Sequence, residues 1–239
     1  MNQGVYPLAA SMVNQINRLD QISNNLANAN TYGFKQEGTA ETTFNWYLTR
    51  MQKEVRTPMV ESVVKNNIPK IDTRYINPHM GAILTTGNSL DFALNAHDTF
   101  FKIQNQNGDV VYTRDGAFKN VDGFLVDGNG NNVLNVDNEA IVVEDGFELQ
   151  IGVVKTSFKN LEKVGDNTYK VLNFDEVEEF ENNDNQILRG AVEQSNVNRV
   201  SAMVELIDAH RRFDQSQRAI KTIDELNAGL IEKIGGNSR

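Results

Sequence analysis

The sequence predicts an α+β protein in which N- and C-terminal amphipathic helices pair as a coiled coil and a central, mainly β domain is built from hairpins. Three observations lead there: apolar residues near both ends recur at alternating steps of 3 and 4, Asx-Gly dipeptides punctuate the centre, and a chain of 239 residues can bury a real core. The expected divisions are an N-terminal helical segment over 1–35, a linker region over 36–80, the β domain over 81–194 and a C-terminal helical segment over 195–239.

In the first segment Ala9, Met12, Ile16, Leu19 and Leu26 form a heptad seam that only Ser23 interrupts. The seam runs into "SNNLANANTYGFK", residues 23–35, where Asn24, Asn25, Asn28 and Asn30 crowd a helical pattern although Asn side chains compete for backbone hydrogen bonds. Two readings stay open. Asn28 and Asn30 cap the helix, with Gly33 left-handed beyond it; or the small amides let helices approach closely and hydrogen-bond across a subunit boundary without desolvating a charge. Over 36–80, Phe44, Leu48, Met51 and Val55 suggest a short helix, after which Pro58, Pro69 and Pro78 interrupt regular structure.

From about Leu84 to Leu172 the dipeptides Asn107-Gly108, Asp115-Gly116, Asp122-Gly123, Asp127-Gly128, Asn129-Gly130 and Asp145-Gly146 separate runs such as "FFKIQ", "DVVYTR" and "FELQIGVV". Asx-Gly supplies positive φ at tight turns, so a meander of hairpins is expected. "DEVEEFENNDN", with six acids from Asp175 to Asp184, reads as a solvated loop. Beyond Ser195 or Asn196, either of which suits an N-cap, Met203, Ile207, His210, Phe213, Ile220, Ile223, Leu230 and Ile234 restore the helical seam until Gly235-Gly236 stops it. His210 is expected to be a packed or interface histidine.

Several chemistries are excluded or unsupported. With 23 Lys and Arg against 32 Asp and Glu, a net charge of −9 and no basic cluster, the chain lacks a nucleic-acid surface. The absence of cysteine removes disulfides, thiolate metal sites and thiol nucleophiles. "DGNGNNVLNVDNE" starts like a calcium loop at Asp127, Asn129 and Asn131, but Asn132 stands where the sharp turn needs Gly and Asn138 where a bidentate Glu belongs. "GNSLD" has no second Gly for a nucleophile elbow, and His79, His97 and His210 have no metal-binding spacing. No phosphate-cradling loop, secretory signal or membrane-spanning run stands out, so neither catalysis, a cofactor nor membrane insertion is expected.

A heptad seam occupies one side of a helix, yet Val5, Val13, Ile22, Leu206 and Leu226 place apolar groups beyond it. Those groups call for a second neighbour. The two ends are therefore expected to pair with each other and then pack against other chains, becoming fully ordered in the assembly. The interface residues so expected are Met12, Ile16, Leu19, Asn24, Asn25, Leu26 and Asn28 at one end. At the other they are Ser195, Asn196, Val197, Met203, Ile207, Phe213, Ile220, Ile223 and Leu230.

"SNNLANANTYGFK" closely resembles the signature of the flagellar rod and hook family. "LDFALNAHDTFFKIQNQNGDVVYTRDGAFKNVDGFLVDGNG" and "GAVEQSNVNRVSAMVELIDAHRRFDQSQRAIKTIDELN" resemble that family's other two blocks, in the family's order. The length is that of rod rather than hook members, and His210-Arg211-Arg212-Phe213 is more like proximal than distal rod proteins. One departure is that Asp98 and Thr99 precede the aromatic pair Phe100-Phe101 where the family often has Gly. The resemblance implies a non-enzymatic subunit of the basal-body rod, exported through the flagellar type III apparatus without a cleaved signal. It would polymerise helically in the periplasm with copies of itself and other rod proteins. Its terminal helices would line a hollow torque-transmitting shaft, with the β domain outside. It also assigns Gly33, Asp115 and Gly116 to turns and implies no cofactor and no small-molecule substrate. The rival readings are a distal rod protein and, from another class, an oligomeric glycan-binding β module, for which the single Trp46, outside the β region, gives little support.

Overall fold

A computed structural model describes residues 5–43, 69–165, 167–180 and 186–236. These divide into two compact units, one holding the terminal helices and a strand pair, the other holding residues 27–36 and 76–198.

In the first unit, helix α1 spans Val5–Ala27 and helix α2 spans Arg199–Gly236, with no Gly or Pro in the interior of α1 after Pro7, which sits in its first turn where its missing N–H costs nothing. The expected linker contains two strands, β1 (Glu37–Thr43) and β2 (Pro69–Ile76), which pair with each other. The short helix expected over Phe44–Val55, together with Trp46 and Pro58, lies outside the described residues.

On α2 the covered line is Ala202 and Ala209, buried, with Leu206, Phe213, Ser216, Ile220 and Ile223 half-buried, again at heptad steps. Met203 and Ile207 lie on the adjoining flank and are 51% and 54% exposed, beside Val200 and Val204 at 72% and 62%. The expected seam follows side-chain size, whereas the covered line starts with the small residues Ala202 and Ala209. On α1 the deepest residues are Asn14, Ile22 and Asn25, while Met12, Leu19 and Leu26 are half-buried and Val13 and Ile16 exposed.

The second unit is β-rich. Strands β3 (Ile83–Thr85) and β4 (Phe92–Leu94) pair with two late strands, β15 (Ala191–Glu193) and β14 (Ile187–Arg189) respectively, each antiparallel. The main sheet has β5 (Thr99–Gln104) at its heart, flanked by β6 (Val110–Thr113) and β9 (Asn132–Val133). Beyond these lie β7 (Lys119–Val121) and β8 (Phe124–Val126) on one side, and β11 (Leu161–Gly165) and β12 (Thr168–Val171) on the other. Strand β10 (Val153–Lys155) joins β5 to the short β13 (Glu178–Glu179).

The two-residue side-chain period sends Phe101 and Ile103 of β5 into a core with Phe92, Val111, Phe118, Leu125 and Val133, while Phe100 enters a second core with Tyr112, Val154 and Tyr169. A strand covered on both faces has apolar residues on both, as Phe100, Phe101 and Ile103 are here, with the buried Lys102 between them paired to Glu179. Left-handed Asp122 and Gly123, with φ of 53° and 89°, close the β7–β8 hairpin as an Asx-Gly turn should. The 127–131 loop also closes on itself: Asp127 Oδ1 accepts from the Asn129 and Asn131 backbone N–H groups and Oδ2 from Asn131 Nδ2, each at 2.8 Å. Its carboxylate is consumed by the turn rather than offered to a cation.

Candidate functional site: a buried carboxylate that joins the roots of the two helices

The segment leaving α1 and the segment entering α2 run side by side in the second unit. Gly33 N–H donates to Glu193 O at 2.7 Å and Asn196 N–H to Phe34 O at 3.3 Å. The Asn196 side chain completes the pairing: its Oδ1 accepts from Gln36 N–H at 2.7 Å, and its Nδ2 donates to Asn77 O and His79 O at 3.1 and 2.8 Å. This corrects the N-cap expectation. The helix begins at Arg199, Asn196 is spent on three backbone groups, and the Ser195 hydroxyl accepts from Val197 N–H at 3.3 Å. Val197 is buried.

Beneath that pairing lies a charge network the sequence did not reveal. Glu193, 1% exposed, takes Lys35 Nζ on Oε1 at 2.6 Å and Arg114 on Oε2, where Nε and Nη2 each lie at 2.7 Å. The Gly81 N–H also donates to Oε1, at 2.8 Å. Lys35 Nζ reaches His79 O at 2.8 Å, and Arg114 Nη1 donates to Ala96 O, His97 O and Thr99 O at 2.9, 3.1 and 2.6 Å. Lys35 and Arg114 are both 0% exposed. Burial, and next the neighbouring Arg114, lower the Lys35 pKa from 10.5 to about 8, with Glu193 pulling the other way. Two cations on one carboxylate leave one positive charge to be met by carbonyl dipoles, which is what the ring of backbone acceptors supplies. It also explains the tolerated Asp98-Thr99 departure: Thr99 is fully buried, its hydroxyl donates to Ala96 O at 2.9 Å, and Arg114 grips the same turn.

The turn residues sit around this network. Gly33 is left-handed, at φ +66°, six residues after α1 ends rather than directly behind it, and a Cβ there would lie 2.3 Å from the Arg114 carbonyl carbon. At Gly116 a Cβ would fall 1.8 Å from Phe92 O, so glycine is needed there for close approach. Asp115 is held by burial well above the carboxylate range, at about 6, with Asp127 and Asp91 adding to the rise and its Oδ1 accepting from Ala117 N–H at 3.0 Å.

The Asn-rich stretch serves both ends of the chain's geometry. Asn25, buried, exchanges two hydrogen bonds with Glu37 of β1: Nδ2 donates to Glu37 O at 2.8 Å and Oδ1 accepts from Glu37 N–H at 2.9 Å. One amide side chain thus mimics a strand residue. Asn28 closes the following turn, its carbonyl accepting from Thr31 N–H at 3.1 Å and its Oδ1 from the Thr31 hydroxyl at 3.3 Å. Asn24 is exposed. Of the other expected interface residues, Phe213, Ile220 and Ile223 are half-buried and Leu230 lies in the last part of α2. His210 is exposed, with Nδ1 3.4 Å from Asp214 Oδ2. The structure brings together the Ser195–Val197 and Gly33 segments. It also adds Lys35, Arg114 and Glu193, whose only sequence signal is a charge set within apolar or glycine-rich strand ends.

Among the described residues no group of His, Asp and Glu is placed to hold a metal, and no helix is long and apolar enough to cross a membrane. What the geometry builds is a clamp, within the second unit, between the segment that follows α1 and the segment that precedes α2, with no catalytic constellation in it. Three family descriptions match in chain order: "Flagella basal body rod protein" over 11–35, "Flagellar hook protein FlgE/F/G D1 domain" over 97–159, and "Flagellar basal body rod FlgEFG protein C-terminal" over 188–232. The flagellar basal-body rod protein FlgF of Caulobacter vibrioides is 30% identical over 254 residues, covering 98% of this chain and 99% of the relative. FlgF of Mesorhizobium japonicum is 27% identical across 100% of both chains, and the rod protein FlgG of Agrobacterium fabrum 29% across 94% of this chain and 96% of its own. The chain belongs to the flagellar basal-body rod family, a family of structural proteins rather than enzymes. Each matched block contributes one member of the charge network: Lys35, Arg114 and Glu193.

Proposed function

We propose that this chain is a proximal, FlgF-like structural subunit of the flagellar rod that polymerises helically through its terminal helices into a hollow shaft. In this reading α1 and α2 pair as a coiled coil and then pack laterally against copies of the chain and other rod proteins in the periplasm, after export through the flagellar type III apparatus without a cleaved signal. The helical assembly region is 1–35 with 195–239, and the β region over 81–194 forms the outer layer. The observation that carries the reading is the uncovered apolar flank of α2, where Val200, Met203, Val204 and Ile207 are each more than half exposed in the single chain. The buried clamp supports it too, since a subunit transmitting torque needs rigid roots for both helices.

The test is the double substitution Met203→Ser with Ile207→Ser. Because both side chains are exposed, the monomer's melting midpoint should stay within about 2 °C, a change under 0.5 kcal/mol. Incorporation into purified basal bodies and swimming should be lost. Normal incorporation of a correctly folded variant sinks the reading. The position of a labelled subunit along the rod separates proximal from distal identity.

A further inference from the structure

Within the β-rich unit, residues 32–34 also touch the β11–β12 hairpin, which ends the main sheet on that side. Asn167, at the hairpin tip, donates from Nδ2 to Tyr32 O at 2.9 Å, and the Lys163 ammonium lies 4.3 Å from the centre of the buried Phe34 ring. The tip is anchored in turn beside Arg114: the Thr113 hydroxyl donates to Asn167 O at 3.1 Å and accepts from Asp115 N–H at 3.1 Å. The Tyr32 carbonyl and the Gly33 N–H belong to one planar peptide group and point to opposite sides of it. That group is therefore pinned at both ends, by Asn167 on its oxygen and by Glu193 O on its N–H at 2.7 Å.

Asn167 is a costly residue with which to close a hairpin. Its φ is +60°, in the left-handed region that Gly enters freely, and the pairing is already irregular at Lys163–Gly165. The residue is 8% exposed, and its Oδ1 is buried with no hydrogen-bond partner among the described residues. A buried acceptor without a donor opposes folding. Glycine at 167 would avoid both costs, so the turn itself does not call for an amide. The bond that the side chain does supply is the one to Tyr32 O. Strained residues of this kind persist where the surroundings over-determine them, and they gather where function uses them.

We propose that Asn167 is a positioning residue, which fixes the Tyr32–Gly33 peptide plane and so the segment that follows α1, at the expense of the β-rich unit's own stability. By holding the carbonyl it keeps the Gly33 N–H aimed at Glu193 O, the bond that joins the two segments over the buried charges. Stability and positioning are then separable at this one residue, as they are where a site is kept in shape by groups the fold could do without. The consequence for assembly rests on the shaft reading proposed above, because there the fixed segment is what a subunit offers its neighbours; the pinning of the peptide plane does not rest on it.

The experiment compares the full-length parent with Asn167→Gly and Asn167→Ala by thermal melting and by amide hydrogen exchange resolved to single residues. The Gly33 amide reports the segment, and the Lys102 amide, bonded to Gly152 O at 3.0 Å inside the main sheet, reports the unit's interior. Asn167→Gly should melt within about 1 °C of the parent or above it, yet exchange the Gly33 amide about tenfold faster with Lys102 unchanged. Asn167→Ala lacks the same bond without adding glycine's backbone freedom; it should melt below the Gly variant and loosen Gly33 to a like degree. Incorporation of Asn167→Gly into purified basal bodies should fall to under about half of the parent's. The proposal is overturned if Gly33 exchanges as in the parent in either variant, if Lys102 loosens as much as Gly33 in Asn167→Gly, or if that variant loosens Gly33 and is still incorporated normally. None of these results touches the Met203 and Ile207 test, on which the shaft reading stands or falls.

Discussion

Replacing Glu193 by Gln removes one charge and little else. Gln is nearly isosteric, and its Oε1 can still accept from Gly81 N–H and Lys35 Nζ, the contacts made at 2.8 and 2.6 Å in the parent. What is lost is the counter-charge to two cations that are both 0% exposed. Removing one partner of a buried pair costs about 3–5 kcal/mol. Arg114 cannot release its proton, whereas Lys35 already has its pKa lowered to about 8 and would shed its proton once Glu193 no longer holds it. That escape limits the loss, so we expect Glu193→Gln to lower the unfolding free energy by about 4 kcal/mol at pH 7. The double variant Lys35→Met, Glu193→Gln should recover about half of it, because folding no longer has to strip a proton from Lys35. The sign with pH also follows. With its folded pKa below the unfolded 10.5, Lys35 binds fewer protons in the folded state between about pH 8 and 10.5, so its contribution to parent stability rises across that window. Urea unfolding followed by near-ultraviolet circular dichroism, sensitive to the buried Tyr112 and Tyr169, measures both. A Glu193→Gln variant within 1 kcal/mol of the parent, or a double variant no better than the single, refutes the account of the network as charge compensation.

Asp115 gives the opposite pH signature from a simple ion pair. Its folded pKa is raised from 3.8 to about 6, so the stability it allows is fully present below about pH 4 and lost as pH rises through 6. Asp115→Asn should therefore be more stable than the parent by about 2 kcal/mol at pH 8, with the gap closing at pH 4, read by thermal melts at both values. Gly116→Ala should cost on the order of 3 kcal/mol or more, because its methyl would meet Phe92 O at 1.8 Å, and should show as a collapsed yield of soluble protein. Asn25→Leu removes both bonds to Glu37, leaving that residue's N–H and C=O without the amide, and should raise the Glu37 amide exchange rate at least tenfold, on the order of 1–3 kcal/mol, while β5 amides keep theirs.

The elements with a strong period were legible in the sequence. Both helices and the hairpin-rich centre follow from spacing and from Asx-Gly pairs, of which Gly108, Gly123, Gly130 and Gly146 take positive φ while Gly116 and Gly128 do not. The helix seam was half legible. The reading favoured Met203 and Ile207 for their bulk, whereas the covered line starts at Ala202 and Ala209, and nothing local tells an Ala at a contact from an Ala on a surface. β1 and β2 were hidden because "EGTAETT" and "PKIDTRYI" have no clean alternation and become strands by pairing with each other. The charge network was not legible at all. Lys35, Arg114 and Glu193 look like any solvated charges until three distant segments meet, and a one-dimensional pattern carries no record of that meeting.

The Lys35 to Glu193 contact spans 158 positions. Wherever the chain folds, burial of the Lys35 ammonium has no answering acid until residue 193 is in place, and a desolvated ammonium without one is costly. The junction therefore stays wet and open until the late part of the polypeptide joins it. Closure becomes a completion check: a truncated molecule cannot set its own mountings.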